Sequence, residues 1–413
     1  MSRLPLAWAW WAYAGAWLLA PLWVSSGFAL GLLSQIGIAI IVCLSYNILL
    51  GQGGMLSFGH AVYSGAGAFL AIHTMRLLAD GWPFPVVLVP LAAGLGAMML
   101  ALVLGWISTR KAGMPFAMIT LGIGELVWAG ALMFPDVFGG EAGISSDRAA
   151  VHALGPWTLG PALHLYWLVA GYTVVCTALM YGFTRTPLGR LLNAVRDNPL
   201  RVGFLGFNPH MVRYLAFVIA GGFAGVSGGL AALQQEVVGP DMLGSQRAWF
   251  YLLFTVLGGT AYFAGPIAGA VLMVLAFAVF SEWTRAWLLY LGLGFGAVVL
   301  LAPGGVAGLF AGDTLRRTAL QLRSRPTMAV LLLLSGCITA VACVAMVEMA
   351  YQLQLRSVIG DGVHFLAWQL HAASIVHWSV AAAIAAAGIA ALTYLLHARR
   401  ATPMAGSLMG PAP

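Results

Sequence analysis

Charged side chains are scarce in this sequence. Only 8% of the 413 residues are Asp, Glu, Lys or Arg, while 61% are apolar and the mean hydropathy is +0.93. A soluble globular domain carries about 25% charged residues. The chain therefore lacks the polar surface that would keep it in water, which excludes a water-soluble protein and indicates a membrane protein.

Lysine is the rarest of the charged residues, because Lys111 is the sole example and it follows Arg110. A Walker A phosphate-binding loop needs a Gly-Lys pair, with the lysine reaching the β- and γ-phosphates. No such motif exists in this chain. If transport uses ATP and Mg²⁺, partner subunits must bind them, so we expect neither a cofactor nor an enzymatic activity here.

Groupings of metal ligands or catalytic residues are also missing. The four cysteines lie in apolar segments without CxxC spacing. Three histidines near the C-terminus, His364, His371 and His377, are seven and six residues apart, whereas helical ligand pairs lie three or four apart. The sequence therefore predicts no metal site and no catalytic constellation.

Apolar runs, by contrast, fill the chain nearly from end to end. About 20 apolar residues are needed to cross the bilayer as a helix. A run at 249–257 is too short and predicts a half-helix or re-entrant segment. The expected fold is an all-α, polytopic transmembrane bundle with broken or re-entrant helices. The predicted spans lie at 6–24, 28–50, 59–79, 84–108, 113–134, 165–183, 211–235, 266–282, 286–301, 328–350 and 374–397.

The basic residues are distributed unevenly across these spans. With both termini in the cytoplasm, the inside segments hold fourteen of the 19 Lys and Arg residues. Only Arg76, Arg148, Arg247, Arg285 and Arg356 fall outside. This asymmetry follows the positive-inside rule. The net charge of +7 thus reflects orientation in a membrane rather than binding of nucleic acid.

Two glycine-rich stretches, 47–67 and 254–269, interrupt otherwise apolar segments. Irregular backbone at membrane depth is tolerated only beside protein or a water-filled cavity, and paired breaks often mark a transport pathway. The alternative is that these glycines only allow close helix packing. The predicted pathway residues in the two stretches are Gln52, Gly53, Gly54, Ser57, His60, Gly258 and Gly259.

Glu125 adds a carboxyl group near the middle of the fifth span. A charge at this depth costs about 2.5–3.5 kcal/mol on insertion scales, so it should face protein or water. We include it among the predicted pathway residues, with a purely structural role in pinning neighbouring helices as the alternative. For His60, the corresponding alternative is a hydrogen bond at the start of a helix.

Five motifs recur along the chain in a characteristic order and spacing. They are NILLGQGGMLSFGHAVYSGAGAFLA (47–71), GMPFAMITLGIGELV (113–127), FGGEAGI (138–144), RTPLGRLLNAVRDNPLRVGFLGFN (185–208) and VLGGTAYFAGPIAGAV (256–271). Together they resemble the M-type permease subunit of ABC importers for branched-chain amino acids, over about 28–310. Related permeases serve urea, amides and other small solutes.

The resemblance implies a set of partners. These are a homologous second permease, two ATPase subunits and an extracytoplasmic solute-binding protein, in a bacterial cytoplasmic membrane. It also implies that Gly139, Gly140, Glu141 and Gly143 face the binding protein. The alternative function is a stand-alone secondary carrier or channel for small polar solutes.

The basic segment 186–208 is the expected ATPase-coupling element. Leu188, Leu191, Leu192 and Val195 recur at i, i+3, i+4 and i+7, which places them on one helical face. Off that face, Arg190, Asn193 and Asp197 are expected to be solvated. Asn198-Pro199 predicts an N-cap and first residue of a second short helix. By resemblance, the coupling residues also include Gly189, Arg196 and Asp197. The alternative is an amphipathic segment on the membrane surface.

We therefore expect five regions along the chain. They are an N-terminal transmembrane helix (1–27), a permease core (28–310), a basic cytoplasmic linker (311–327), an accessory transmembrane hairpin (328–397) and a cytoplasmic tail (398–413).

Overall fold

The computed structural model describes residues 6–23, 26–149, 159–284, 286–301, 304–311, 326–359, 363–365, 368–370 and 375–401. The chain forms two compact units, which are described separately. The first comprises 1–278 and 295–308, and the second comprises 279–294 and 309–413. Most of the predicted linker, at 312–325, and most of the predicted tail, from 402 onwards, lie outside the described residues. The five predicted regions stay predictions.

Helices make up nearly all of the described chain. They are α1 (Leu6–Trp23), α2 (Gly27–Asn47, continued by a π-helical turn at Ile48–Gln52), α3 (Ala61–Ala79), α4 (Val89–Ser108), α5 (Met114–Met133), α6 (Pro135–Phe138), α7 (Ala162–Arg185), α8 (Pro187–Asp197), α9 (Pro199–Phe204), α10 (Pro209–Gln235), α11 (Ser245–Gly258), α12 (Gly265–Leu275), α13 (Ser281–Trp283), α14 (Trp287–Leu301), α15 (Gly305–Ala311), α16 (Pro326–Ile359) and α17 (Ile375–Ala401).

The strands are short and form two antiparallel pairs. β1 (Ile144–Ser145) pairs antiparallel with β2 (Val237–Val238), with Ile144 opposite Val238. β3 (Val363–Phe365) and β4 (Trp368–Leu370) form a second antiparallel pair, with Val363 opposite Leu370.

Six of the described helical segments are long and apolar enough to cross a membrane, which confirms the predicted all-α polytopic bundle. Turn chemistry explains where several helices begin. The side chains of Ser26, Thr186, Asn198 and Asn208 accept hydrogen bonds from the first turns of α2, α8, α9 and α10. The six segments that are long and apolar enough to cross a membrane are Gly27–Gln52, Val86–Ser108, Met114–Met133, Ala162–Arg185, Pro209–Gln235 and Leu334–Tyr351.

The centre of the first unit is α10, whose most apolar window is 72% buried. Small residues let its backbone touch that of α3. A Cβ atom added to Gly228 would overlap the carbonyl group of Ser64, and one added to Gly67 would overlap the backbone of Gly225. Close backbone approach of this kind is typical of helix packing in membranes. By contrast, α5 is only 28% buried and leaves most of its surface to other contacts.

The second unit contains α16 and α17, which run antiparallel. Two contacts show this arrangement: Gly388 lies against Thr339, and Ala381 lies in one cluster with Met349. A carboxylate that the sequence analysis did not single out joins α16 to the segment before it. Tyr290 donates a hydrogen bond to Glu348 Oε1 at 3.1 Å, and Thr284 donates another. Glu348 thereby links 279–294 to the hairpin.

Candidate translocation site at the two helix breaks

The first break is a local unwinding at the end of α2. The amide groups of Gly53 and Gly54 still donate to Leu49 and Leu50, at 3.1 and 3.0 Å, but the chain then leaves the helix until Ala61. Gly54 has a φ of +62°, a left-handed conformation that residues with a Cβ atom rarely adopt. The glycine pattern thus correctly predicted a broken helix at this point.

Buried polar side chains surround this break. Ser45 donates to the carbonyl oxygen of Val42 at 2.8 Å and lies 2.9 Å from His60 Nε2. Which of the two atoms donates in this contact depends on the histidine tautomer. His60 is the residue before α3 and makes no capping bond there, so its hydrogen bond at the helix start is the one to Ser45.

Three polar atoms of the break are buried without a hydrogen-bond partner among the described residues: Asn47 Oδ1, Ser57 Oγ and His60 Nδ1. The backbone of Ser57 is satisfied, since its carbonyl accepts from Tyr46 at 2.8 Å. An unpaired buried polar atom costs about 1–3 kcal/mol. The break therefore contains buried polar atoms that have no hydrogen-bond partner among the described residues, which is uncommon in a packed helix.

The break is bonded directly to α8. Asn193 Nδ2 donates to Gln52 Oε1 at 2.7 Å, and Arg196 donates to the carbonyl of Gly51. Asn193 is half-buried, so it is only partly solvated. Cβ atoms added to Gly53 and Gly54 would lie 3.2 Å from Leu192 Cδ1 and 2.7 Å from Arg196 Cγ. Residues predicted to line the pathway and residues predicted to couple it thus meet at one place.

The apolar stripe of α8 faces the chain's own core. Leu192 is 0% exposed and Val195 is also buried, while Leu188 and Leu191 are half-buried. Leu192 and Val195 therefore cannot form a surface for a partner. The buried Gly189 packs on the end of α7, whereas Arg196 and Asp197 form an exposed ion pair at 3.2 Å.

The exposed apolar surface of this segment lies on α9 and the turn after it. Leu200 is 75% exposed and Phe204 is 91% exposed, and Leu205 follows them. The predicted cap is confirmed, because Asn198 Oδ1 accepts from the backbone of Arg201 at 3.0 Å. The helical-face pattern identified the stripe of α8 but gave no sign of this second surface.

We predict that the bond between Gln52 and Asn193 couples the break to α8 energetically. Leucine at both positions should lower the free energy of unfolding by less than the sum of the two single changes, with a coupling of about 1 kcal/mol. Reversible unfolding in mixed micelles would measure it. Gln52→Leu combined with Ala194→Leu, on the exposed face of α8, is the matched pair that should be additive. Additivity in both pairs would contradict the coupling.

The second break lies between α11 and α12, which form an antiparallel hairpin. Cβ atoms added to Gly258 and Gly269 would overlap the carbonyl groups of Gly265 and Phe254. At the tip, Gly259 has a φ of +109° and packs against 304–305. The 14-residue length of α11 agrees with the predicted half-helix.

The two breaks are in contact with each other. A Cβ atom added to Gly51 would lie 2.6 Å from the carbonyl oxygen of Thr260. The same region of the chain therefore contains the unwound end of α2, the tip of the α11–α12 hairpin and the polar face of α8. The pathway assignments themselves remain predictions.

Glu125 does not join this cluster. Its side chain is exposed on α5, and it has no hydrogen-bond or ion-pair partner among the described residues. The contact between α5 and the first break comes instead from Thr120, whose hydroxyl accepts from the backbone of Phe58 at 3.2 Å. Sequence analysis did not single out Thr120, because a threonine in an apolar helix gives no distinctive signal.

The loop predicted to face a binding protein lies at the end of α3. Gly143 packs against the backbone of Val238, and Arg76 donates two hydrogen bonds to the carbonyl of Ser145, at 3.2 and 3.0 Å. Glu141 is exposed, while Gly139 and Gly140 are half-buried. The loop is therefore fixed by β1, β2 and α3 while Glu141 stays accessible.

The predicted absence of a metal site concerns residues that are only partly described. His371 lies outside the described residues. Within the described part of the chain, no three His, Cys, Asp or Glu residues are grouped so as to hold a metal ion.

Comparisons with known proteins agree with the motifs. Residues 28–303 match the family described as branched-chain amino acid transport system / permease component. The permease protein LivM of Salmonella typhimurium is 29% identical over 334 residues, covering 75% of each chain. LivM of Escherichia coli is 28% identical over 64% of this chain and 65% of its own. LivH of Escherichia coli is 23% identical over 59% and 82%. No solved structure matches the chain.

Proposed function

The chain belongs to the permease-component family of branched-chain amino acid transport systems, and from that premise we propose that its cargo is a branched-chain or closely related amino acid. As a permease subunit it contributes one half of a transmembrane pathway. The relatives named as high-affinity branched-chain amino acid permeases support this cargo. The earlier resemblance to the M-type subunit is confirmed.

The observation that carries the mechanism is the bonded contact between α8 and the first break. A displacement of α8 would move Gln52 through Asn193 and would move Gly51 through Arg196. Since Gly51 also touches the tip of the α11–α12 hairpin, both breaks would respond to the same displacement. Helix breaks with unpaired polar atoms can rearrange at low cost, because few hydrogen bonds need to be lost there.

The force for this displacement would come from separate ATPase subunits, which would bind ATP and Mg²⁺. The exposed apolar residues Leu200, Phe204 and Leu205 offer the docking surface, with Arg196 and Asp197 beside it. An amphipathic element of this kind suits insertion into a groove on a partner. The loop with the exposed Glu141 would contact a solute-binding protein. The complex would lie in a bacterial cytoplasmic membrane, with both termini of this chain in the cytoplasm.

The second permease would cover α5. Glu125 is exposed in the middle of this apolar helix, and a carboxyl group facing lipid is costly. A homologous partner that offers hydrogen bonds to Glu125 would remove that cost. Glu125 would then act at the contact between subunits, where it need not touch the cargo.

We predict that Glu125→Gln is tolerated far better than Glu125→Lys. An amide keeps the hydrogen bonds of a carboxyl group, whereas a lysine requires a new partner or water at mid-membrane. Co-purification of the two permeases and amino-acid uptake would be compared for both variants. Equal loss of uptake with normal co-purification would show that the carboxylate is essential for transport itself.

Reconstitution tests the proposed function. Proteoliposomes with both permeases, the ATPases and the binding protein should take up leucine only with ATP, and the chain alone should not. Phe204→Asp should release the ATPases and abolish uptake without lowering the melting temperature. Val237→Asp adds the same charge at another exposed position, outside this surface, and should leave the ATPases bound. Leucine uptake by the chain alone would favour the alternative, a stand-alone carrier.

A further inference from the structure

A cavity of about 450 Å³ lies within the first unit, between α2, α10, α11 and α12. Its volume is in the range of small-molecule sites in proteins. None of the residues that the sequence marked as pathway, coupling or loop residues lines it. The cavity is therefore a feature separate from the two helix breaks.

The rim of the cavity carries one charge of each sign. Asp241, in the turn before α11, is exposed, and Arg247, in the first turn of α11, is half-buried. Neither takes part in an ion pair with any described residue. Four glutamines lie with them in the wall: Gln35, Gln234, Gln235 and Gln246. The rim can therefore bind both a negative and a positive group of a ligand.

Gln234 lies in the wall with its side chain held in place. Its Nε2 donates to the carbonyl oxygen of Gly31 at 2.8 Å. Its Oε1 has no accessible surface, so a ligand in the cavity does not touch this oxygen. The polar contacts to a ligand therefore come from the rim.

The floor of the cavity is apolar. Val42, Met242 and Val274 are buried, and their side chains line it. The hydroxyl groups there are already engaged, because Ser64 lies 3.4 Å from the Tyr251 hydroxyl and Ser227 donates to Ile38 at 3.1 Å. The floor therefore favours an aliphatic group over a polar one.

We propose that this cavity binds a zwitterionic amino acid with an aliphatic side chain. Its α-carboxylate would bind Arg247, its α-ammonium would bind Asp241, and its side chain would lie on the floor. Charge-assisted hydrogen bonds at both ends make the two charges jointly necessary. An uncharged solute such as urea pairs with neither rim charge, so Asp241 and Arg247 together select zwitterions. This inference rests on the proposed function, and it places a solute site outside the predicted pathway residues.

Protection from chemical labelling tests the site. Ala231→Cys places a thiol on the cavity wall, and Val237→Cys places one on an exposed strand outside it. The full chain in nanodiscs would be labelled with a membrane-impermeant thiol reagent. L-Leucine should slow labelling of Ala231→Cys about tenfold at saturation and leave Val237→Cys unchanged. If Ala231→Cys is not labelled, Gln235→Cys on the rim takes its place.

The two ends of the ligand are tested separately. 4-Methylpentanoate lacks the ammonium group and 3-methylbutylamine lacks the carboxylate, so neither should protect at the same concentration. Asp241→Asn and Arg247→Gln should each raise the leucine concentration needed for half-protection by about tenfold or more. Absence of protection by leucine, or equal protection by all three compounds, overturns the site.

Uptake by the reconstituted importer separates this inference from the proposed function. ATP-dependent leucine uptake without labelling protection would refute the site and leave the function standing. Protection without uptake would support the site and contradict leucine as the transported solute.

Discussion

Replacing Gly228 by alanine is expected to destabilise the first unit strongly. A Cβ atom at this position would overlap the backbone carbonyl of Ser64, and backbone cannot move aside as the end of a flexible side chain can. Overpacking usually costs about 1–3 kcal/mol and occasionally more, and we expect the upper end or beyond. The yield of monodisperse protein and its melting temperature in detergent would measure the loss.

Gly222→Ala is the matched control on the same helix. The nearest atom to an added Cβ atom there is Met98 Cβ at 3.6 Å, an ordinary van der Waals distance. This variant should fold and melt like the unaltered chain. Similar melting of Gly222→Ala and Gly228→Ala would show that α3 and α10 can separate without loss, and would refute the close backbone contact.

Leu192→Asp is expected to disrupt the packing of α8 against the transmembrane helices. Leu192 is fully buried and packs against Gly53, so a carboxylate there would be desolvated without a partner. Loss of a buried leucine alone costs about 2–5 kcal/mol, and a buried charge adds to it. The melting temperature of the purified subunit, measured without any partner, should fall strongly.

Ala194→Asp, on the exposed face of the same helix, separates this effect from partner binding. It should leave the melting temperature of the isolated subunit unchanged, because its carboxylate stays in water. If Leu192→Asp also melts normally and only releases the ATPases from the complex, then Leu192 faces a partner and its burial within the chain is refuted.

The fold could be predicted from the sequence wherever the signal is local. Run length located the six segments that are long and apolar enough to cross a membrane, and both breaks follow from glycines with polar neighbours. The start of α9 follows from Asn198 and Pro199, whose chemistry acts within one turn. In each case the residues that determine the structure lie close together along the chain.

The candidate site depends on contacts that sequence patterns do not contain. An apolar stripe such as that of Leu192 and Val195 shows that one face is buried, but not whether it meets the same chain or another. Gly51 and Thr260 are in contact although most of the permease core lies between them in the sequence. Gln35 and Asp241, also distant in the sequence, line the same cavity. Glu348 was missed because its partners, Thr284 and Tyr290, come from a different segment.

The shortness of α11 has a consequence for how the protein is made. With 14 residues, α11 extends about 21 Å, well below the roughly 30 Å of hydrocarbon in a bilayer. Both helices of the α11–α12 hairpin pack on α2, and Thr255 of α11 donates to the carbonyl of Cys43 at 3.5 Å. Since α2 is synthesised earlier, it would act as the scaffold on which this hairpin inserts. A chain whose α2 fails to insert would therefore leave the hairpin outside the bilayer, within reach of quality-control proteases.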